Sequence, residues 1–288
     1  MRDTVPPSPS VVVGIDGSRS SLTAALWAVD EAVARDIPLR LVYAIAQPDT
    51  PRTPDDSARA LAAAEIAVRH AFVAVESTNK PVKIEVEILQ GRPSEKLLEA
   101  SRAAAMICIG AVGTKHATAG KLGTTAAALS SRAHCPVAVV RGFDPSPRTP
   151  QSVVVEVDRS HDGNAVLQLG IEEALLRHAP LVAVAAWQPH VTDIHDSHAV
   201  AEQNRQVRAD VDRRLAWFTR KYPDLDVHSV AVHGSLLDYL SHHAKSTQLV
   251  IVGHGRALGV AEMIGPPSYA ALQDTSCSVL VCHPQNSL

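Results

Sequence analysis

The most constraining feature of this 288-residue sequence is that it repeats itself once. The segment VVVGIDGSRSS at 11–21 returns as VVVEVDRSHDG at 153–163, and three further blocks recur in the same order. They are LVYAIAQP (41–48) with LVAVAAWQP (181–189), MICIGAVG (106–113) with LVIVGHG (249–255), and SSRAHCPVAVV (130–140) with LQDTSCSVLVC (272–282). Four blocks in register indicate a duplication, so we expect two copies of one domain.

The boundaries of the two copies follow from composition. The segment GFDPSPRTPQ (142–151) has three prolines and no apolar periodicity, as expected of a semi-rigid linker. Residues 1–10 are rich in proline and serine and are predicted to form a flexible tail. The predicted domains are therefore 11–141 and 152–284.

Each copy alternates short apolar runs with longer helical patterns, which predicts βαβ units and a parallel sheet covered on both faces. In copy one the strands are expected near 11–15, 39–46, 82–89, 105–110 and 136–141, with helices near 19–35, 56–77, 93–103 and 123–133. Copy two repeats the strands near 152–157, 180–187, 226–232, 248–253 and 278–282. The predicted fold is α/β, with two tandem Rossmann-like domains of five strands in the order 3-2-1-4-5.

Composition excludes several classes of function. The net charge is −3 and no basic run is present, which argues against nucleic acid as a partner. The apolar runs are too short to span a membrane, and the N-terminus lacks the apolar core of a secretory signal, so we expect a cytoplasmic protein. The cysteines form no CxxC pair and fall in or beside apolar runs, which favours buried thiols over a disulfide framework or a zinc site: Cys108, Cys135, Cys277 and Cys282.

A candidate phosphate site follows the fourth strand of copy one. Gly110 and Gly113 are followed, after nine intervening residues, by Gly123, Thr124 and Thr125 at the start of a helix. Glycines let backbone N–H groups approach an anion, and the helix start adds unpaired amides and the positive end of its dipole. The alternative is that the glycines only form turns and the threonines only cap the helix.

This spacing resembles the ATP-binding signature of the universal stress protein family. The pattern Gly110-x2-Gly113-x9-Gly123-Thr124, the segment AHCPV at 133–137 and the opening VGIDGS at 13–18 all look like that family, in its tandem two-domain, actinobacterial form. The resemblance implies that Asp16 contacts the adenosine part of ATP and that the backbone around Val42 lines the adenine pocket. It implies a site formed by Gly14, Asp16, Val42, Gly110, Ala111, Val112, Gly113, Thr114, Lys115, His116, Gly120, Gly123, Thr124 and Thr125. The alternative for Asp16 is an Asx turn or helix cap, and the charged loop residues Lys115, His116 and Lys121 are equally well explained as solvated side chains.

Copy two departs from this pattern. Gly253 and Gly255 are one residue closer together than G-x2-G, and Gly265 is followed by Pro266 and Pro267, which lack both N–H and hydroxyl donors. Glu156 replaces Gly14 and brings a carboxylate towards the phosphate position, where like charges repel. Asp158 is retained. We therefore expect weak or no ATP binding in copy two.

The function predicted from the resemblance is that of an ATP-binding regulator in the stress response, with ATP and Mg²⁺ bound by the first domain. Slow ATP hydrolysis is the most catalysis we expect, because no nucleophile elbow or HExxH motif is present. The alternatives are a nucleotide-independent dimeric scaffold and a sensor of another adenine nucleotide such as cyclic AMP. A homodimer or pairing of the two copies through their last strands, and an unknown regulatory protein partner, are also expected. A metal site is a further alternative for the polar segment that contains His190, Asp193, His195, Asp196 and His198.

Overall fold

The chain forms two compact units, one mainly from Met1–Phe143 and one from Asp144–Cys282. The structure, a computed structural model, describes residues 9–47, 53–112, 123–142, 151–158, 163–187, 197–255, 272 and 275–283. Within these residues each unit holds five parallel strands. The domain boundaries at 141 and 152 stay a prediction.

Unit 1 is a doubly wound α/β sheet. In chain order it contains β1 (Ser10–Ile15), α1 (Arg19–Ala34), β2 (Leu39–Ile45), α2 (Pro54–Glu76), β3 (Ile84–Gln90), α3 (Pro93–Ala100), β4 (Ala104–Gly110), α4 (Thr124–Arg132) and β5 (Val137–Val140). The strands pair in parallel in the order β3-β2-β1-β4-β5. This confirms the fold and strand order predicted from the sequence.

Unit 2 repeats the same order of strands. Its described elements are β6 (Ser152–Glu156), α5 (Gly163–Leu176), β7 (Leu181–Trp187), α6 (Ser197–Lys221), β8 (Val227–His233), α7 (Leu236–His243), a 3-10 turn (Ala244–Ser246), β9 (Thr247–Gly253) and β10 (Ser278–Cys282). The parallel pairs give the order β8-β7-β6-β9-β10. Most of the segment between β9 and β10 lies outside the described residues.

The central strands of each sheet are buried on both faces, which explains their apolar composition, whereas the outer strands β3 and β8 are partly exposed. Val11, Val12 and Val13 are consecutive and all fully buried, so exposed and buried side chains do not alternate along β1. In unit 1, α1 packs against α2 and α3 packs against α4, as expected when right-handed crossovers place one helix pair on each face of the sheet.

Helix starts in unit 1 follow local capping chemistry. The Ser18 hydroxyl accepts from the Ser21 N–H at 3.1 Å and begins α1. The Thr53 hydroxyl caps α2 by accepting from the Asp56 N–H at 3.1 Å, and Pro54 occupies the first helical position, where no N–H is needed.

A buried ion pair recurs at matching positions of the two units. The fully buried carboxylate of Glu31 pairs with Arg35, one turn later in α1. Its counterpart in α5 is Glu173 with Arg177, each 142 positions further along the chain. A residue with a left-handed backbone conformation follows each of these helices, Asp36 (φ 50°) after α1 and His178 (φ 48°) after α5. These two residues are also 142 positions apart. The duplication therefore preserved both the packing and the chain reversal after the first helix.

The cysteines are buried and form no disulfide: Cys108, Cys135, Cys277 and Cys282. Burial raises the pKa of the Cys135 thiol to about 12, so this thiol stays protonated and unreactive. Among the described residues, no helix is long and apolar enough to cross a bilayer.

The buried ion pairs provide a test of the packing. We expect Arg35→Met to lower the free energy of unfolding by about 3 kcal/mol, because it removes the Arg35 cation from beside the fully buried Glu31 carboxylate. Arg177→Met is expected to act in the same way in the second unit. Urea unfolding of the full chain, followed by circular dichroism, measures both effects.

The control is Arg69→Met, which removes an exposed arginine from α2. An exposed cation contributes little, so its unfolding midpoint should stay close to that of the parent chain. Equal shifts for Arg35→Met and Arg69→Met would contradict a stabilising role for the buried pair.

Candidate functional site

A cavity of about 540 Å³ opens at the carboxyl ends of the strands of unit 1. This is the edge where doubly wound sheets bind ligands, and the volume is typical of a small-molecule site. Its described lining comes from seven segments of the chain: Gly14–Asp16, Ser18 with Ser21, Val42–Ala46, Ala60 with Ala63, Arg92–Ser94 with Leu97, Ile109–Gly110 with Val112, and Gly123–Ala126.

The structure brings most of the predicted site residues together in this cavity. Eight of them line it: Gly14, Asp16, Val42, Gly110, Val112, Gly123, Thr124 and Thr125. Ala111 is buried directly after β4 and is not part of the lining. The remaining ones lie outside the described residues: Gly113, Thr114, Lys115, His116 and Gly120.

The turn after β1 positions Asp16. Its carboxylate accepts a hydrogen bond from the Ser18 N–H at 2.9 Å, which forms an Asx turn, and Gly17 takes a positive φ of 81°. The Ser21 hydroxyl accepts from the Asp16 N–H at 3.4 Å and donates to the Ser18 carbonyl at 2.9 Å. Asp16 therefore forms the Asx turn that the sequence allows as an alternative, and it also lines the cavity. Ser18, and not Asp16, caps the helix.

Two glycines of the cavity lining lie where a side chain would collide with neighbouring residues. A Cβ on Gly14 would lie 3.0 Å from Leu97 Cδ1 and 3.1 Å from Ile109 Cγ2. A Cβ on Gly110 would lie 2.5 Å from the Ser20 hydroxyl and 2.6 Å from the Ser20 carbonyl carbon. The Ser20 hydroxyl also accepts from the Val112 N–H at 3.4 Å, so the start of α1 holds the chain as it leaves β4.

The start of α4 supplies polar groups to the cavity. Gly123 is the N-cap residue and has no side chain to cap the helix, and the first amide groups of α4, like those of any helix, lack an intrahelical acceptor. The first bond of the helix runs from the Ala127 N–H to the Gly123 carbonyl at 3.1 Å. Thr124 and Thr125 lie in this first turn and line the cavity, where amides and hydroxyls together can bind an anion.

Several lining residues were not predicted from the sequence. Tyr43 follows Val42 in β2, Ala60 and Ala63 come from α2, and Arg92 and Ser94 come from the start of α3. Because β3 ends at the same edge as β1 and β4, the turn after it could have been found by searching every strand end. Arg92 is the only basic residue and Asp16 the only acidic one among the described lining residues.

The corresponding edge of unit 2 keeps the strand pairing of unit 1 but has a glutamate in place of a glycine at the end of its first strand. Glu156 pairs with Val184 as Gly14 pairs with Val42, and Asp158 follows two residues later. Gly253 ends β9, and the next residue, His254, donates from its N–H to the Cys282 carbonyl at 2.9 Å.

The other predicted residues of the second copy are only partly described. Gly255 is exposed. Gly265, Pro266 and Pro267 lie outside the described residues, as do His190, Asp193, His195 and Asp196. His198 is an exposed residue of α6.

An arginine from α6 lies beside Asp158, which follows the end of β6. Arg214 reaches from α6 and donates to the Asp158 carbonyl at 2.5 Å and to the Asn164 side-chain oxygen at 3.3 Å. Gly163 stands where unit 1 has Ser21, and a Cβ there would lie 2.6 Å from Arg214 Nη2. The guanidinium therefore fills space beside Asp158 that the absence of a side chain at Gly163 leaves open.

Comparison with known proteins gives a consistent family. A model of the universal stress protein family matches residues 9–141. Universal stress protein Rv2028c of Mycobacterium tuberculosis (strain ATCC 25618 / H37Rv) is 47% identical over 280 residues, covering 96% of this chain and 97% of that protein. Universal stress protein Rv2624c of the same strain is 39% identical over 277 residues, with 96% and 97% covered. A solved structure of a universal stress protein from Archaeoglobus fulgidus DSM 4304 shares the fold, with a TM-score of 0.70 at 15% identity over 97% of each chain.

Two glycines of the cavity make a matched test of its geometry. We expect Gly110→Ala to lower the free energy of unfolding by about 1–3 kcal/mol, because the new methyl group overlaps the backbone of Ser20. Gly123→Ala meets no atom within 4 Å and should change the free energy by less than about 1 kcal/mol. Thermal unfolding of the two variants measures the difference, and equal destabilisation would show that α1 does not constrain the end of β4.

Proposed function

Because the chain belongs to the universal stress protein family, we propose that its first domain binds ATP in the cavity at the carboxyl edge and thereby acts as a nucleotide-dependent regulator in the stress response. The observation that carries the proposal is the convergence of Asp16, Val42, Gly110 and the start of α4 on one cavity. These are the positions that the ATP-binding pattern of the sequence marks, although they come from distant parts of the chain.

The chemistry of the cavity supports an adenine nucleotide. Val42, Ile45, Ala60 and Ile109 provide apolar surface for a flat base. The Asp16 carboxylate is the one acceptor with a full negative charge in the described lining and suits the hydroxyl or amino donors of a nucleoside. The hydroxyls and amides at the start of α4 suit phosphate oxygens.

We expect Mg²⁺ to accompany the nucleotide. Magnesium commonly binds to nucleotide phosphates, keeps several waters and needs few protein ligands. Among the described residues, Thr124 and Thr125 lie in the helix turn that we propose to bind the phosphates. Their hydroxyls are therefore the candidate oxygen ligands for the magnesium ion. This arrangement requires no dedicated cluster of carboxylates.

We propose a regulator with at most slow ATP hydrolysis. Asp16 is the only carboxylate in the described lining, and in the proposed binding mode it contacts the nucleoside and not the phosphates. A general base needs a free lone pair within reach of the attacking water. Regulation would then depend on whether ATP occupies the cavity, and a protein partner or a second copy of the chain would bind differently to the two states.

We further propose that each chain binds one nucleotide, with the second domain contributing little. Arg214 takes up the space beside Asp158, and Glu156 places a carboxylate at the strand end where unit 1 has a glycine. Arg214 reduces the room available to a ligand, and the Glu156 carboxylate repels a phosphate chain.

A calorimetric titration of the nucleotide-stripped protein with ATP and Mg²⁺ tests this function. We expect one site per chain, and a loss of at least about tenfold in affinity for Asp16→Ala, as for removal of a hydrogen bond to a charged group. Asp158→Ala is the matched control in the second domain and should leave both stoichiometry and affinity unchanged.

The other outcomes identify the alternatives. Two sites per chain would show that Arg214 and Glu156 do not prevent binding in the second domain. Binding of cyclic AMP in preference to ATP would indicate a sensor of that nucleotide. Absence of binding, with no nucleotide retained through purification, would favour the nucleotide-independent scaffold.

A further inference from the structure

We infer that Arg92 binds the anionic part of the ligand and sets the preference of the first domain for a charged nucleotide over neutral adenosine. The inference rests on the proposed nucleotide function and adds to it a residue that no motif of the sequence marks. It follows from the distribution of charge in the cavity and from the bonds that Arg92 makes.

The charges in the described lining are well separated along the chain and opposite in sign. Asp16 follows β1, and Arg92 follows β3 at the start of α3. A phosphate chain is repelled by the Asp16 carboxylate, so it is favoured where the lining is positive. Lys115, His116 and Lys121 lie outside the described residues, so in the described lining the positive charge is that of Arg92.

Arg92 is weakly engaged in the protein itself. It is the N-cap residue of α3, but its side chain makes no capping hydrogen bond. Its ion pair with Glu95 is long, at 3.6 Å, and both side chains are more than 60% exposed. Such a pair contributes little to stability, so the guanidinium can exchange Glu95 for a phosphate at small cost.

The position of α3 directs this cation towards the proposed phosphate site. Helix α3 packs against α4, and both helices begin at the carboxyl edge of the sheet, so Arg92 and Thr124 approach the cavity from neighbouring helix starts. Pro93 follows Arg92 and has no N–H, so the side chain of Arg92 is the strong donor at this end of α3. An arginine fork binds phosphate with two parallel hydrogen bonds.

The test compares ATP with adenosine in the parent protein and in Arg92→Gln. Glutamine keeps much of the length and polarity of the side chain but removes its charge. We expect Arg92→Gln to weaken ATP binding by about 10- to 100-fold, as for loss of a hydrogen bond to a charged group, and to leave adenosine binding within about twofold. The preference for ATP over adenosine should fall with added salt in the parent protein and less so in the variant.

Two further variants serve as controls. Arg102→Gln makes the same substitution at an exposed position just after α3, away from the cavity, and should leave both affinities unchanged. Glu95→Gln removes the competing carboxylate and should leave ATP affinity unchanged or raise it by a few fold, because Arg92 no longer exchanges partners.

Each remaining outcome is decisive. Equal losses for ATP and adenosine in Arg92→Gln would mean that Arg92 contacts the nucleoside or shapes the cavity, which overturns the inference but keeps the proposed function. Unchanged ATP affinity would also overturn it. If the parent protein binds neither ATP nor adenosine, the proposed function and the inference both fail, and that failure is seen before any variant is compared.

Discussion

Burial of the parallel sheet on both faces is the constraint on which the rest of the structure depends. Strands such as Val11–Val13 have no solvent-facing side, so each must be covered by helices above and below. Polar chemistry is thereby excluded from the faces of the sheet and confined to its ends. At the carboxyl edge of unit 1 the chain turns from strands into helix starts, and the cavity forms where these turns leave a gap.

The duplication shows that the core and the edge respond to different requirements. The buried pair Glu31–Arg35 returns as Glu173–Arg177, because each first helix must still pack on its sheet. At the edge, packing leaves more freedom. Ser21 is replaced by Gly163, and Arg214 from α6 fills the space with a cation that bonds to the Asp158 carbonyl. The second copy has thus kept the conditions for folding while the surroundings of the retained aspartate have changed.

The sequence predicted the strands and their order well because both depend on local apolar runs and on the handedness of crossovers. It also marked Asp16, Gly110 and Thr124, since these lie in contiguous motifs. Arg92 and the alanines of α2 were missed because their role depends on which helix starts meet at the edge, and no local spacing encodes that. Arg214 was missed for a related reason: the space it fills exists only because a residue about 50 positions earlier lacks a side chain.

The same convergence suggests how occupancy of the cavity would reach the surface of the protein. A ligand changes a structure only through contacts that differ between the bound and free states. The proposed phosphates would contact Arg92 on α3 and the start of α4, two helices that pack against each other on one face of the sheet. Asp16, in contrast, is held in its turn by the Ser18 N–H before any ligand binds. Under this proposal the α3–α4 face is the part of the domain whose arrangement would depend most on the nucleotide, and a partner that distinguishes the two states would bind there.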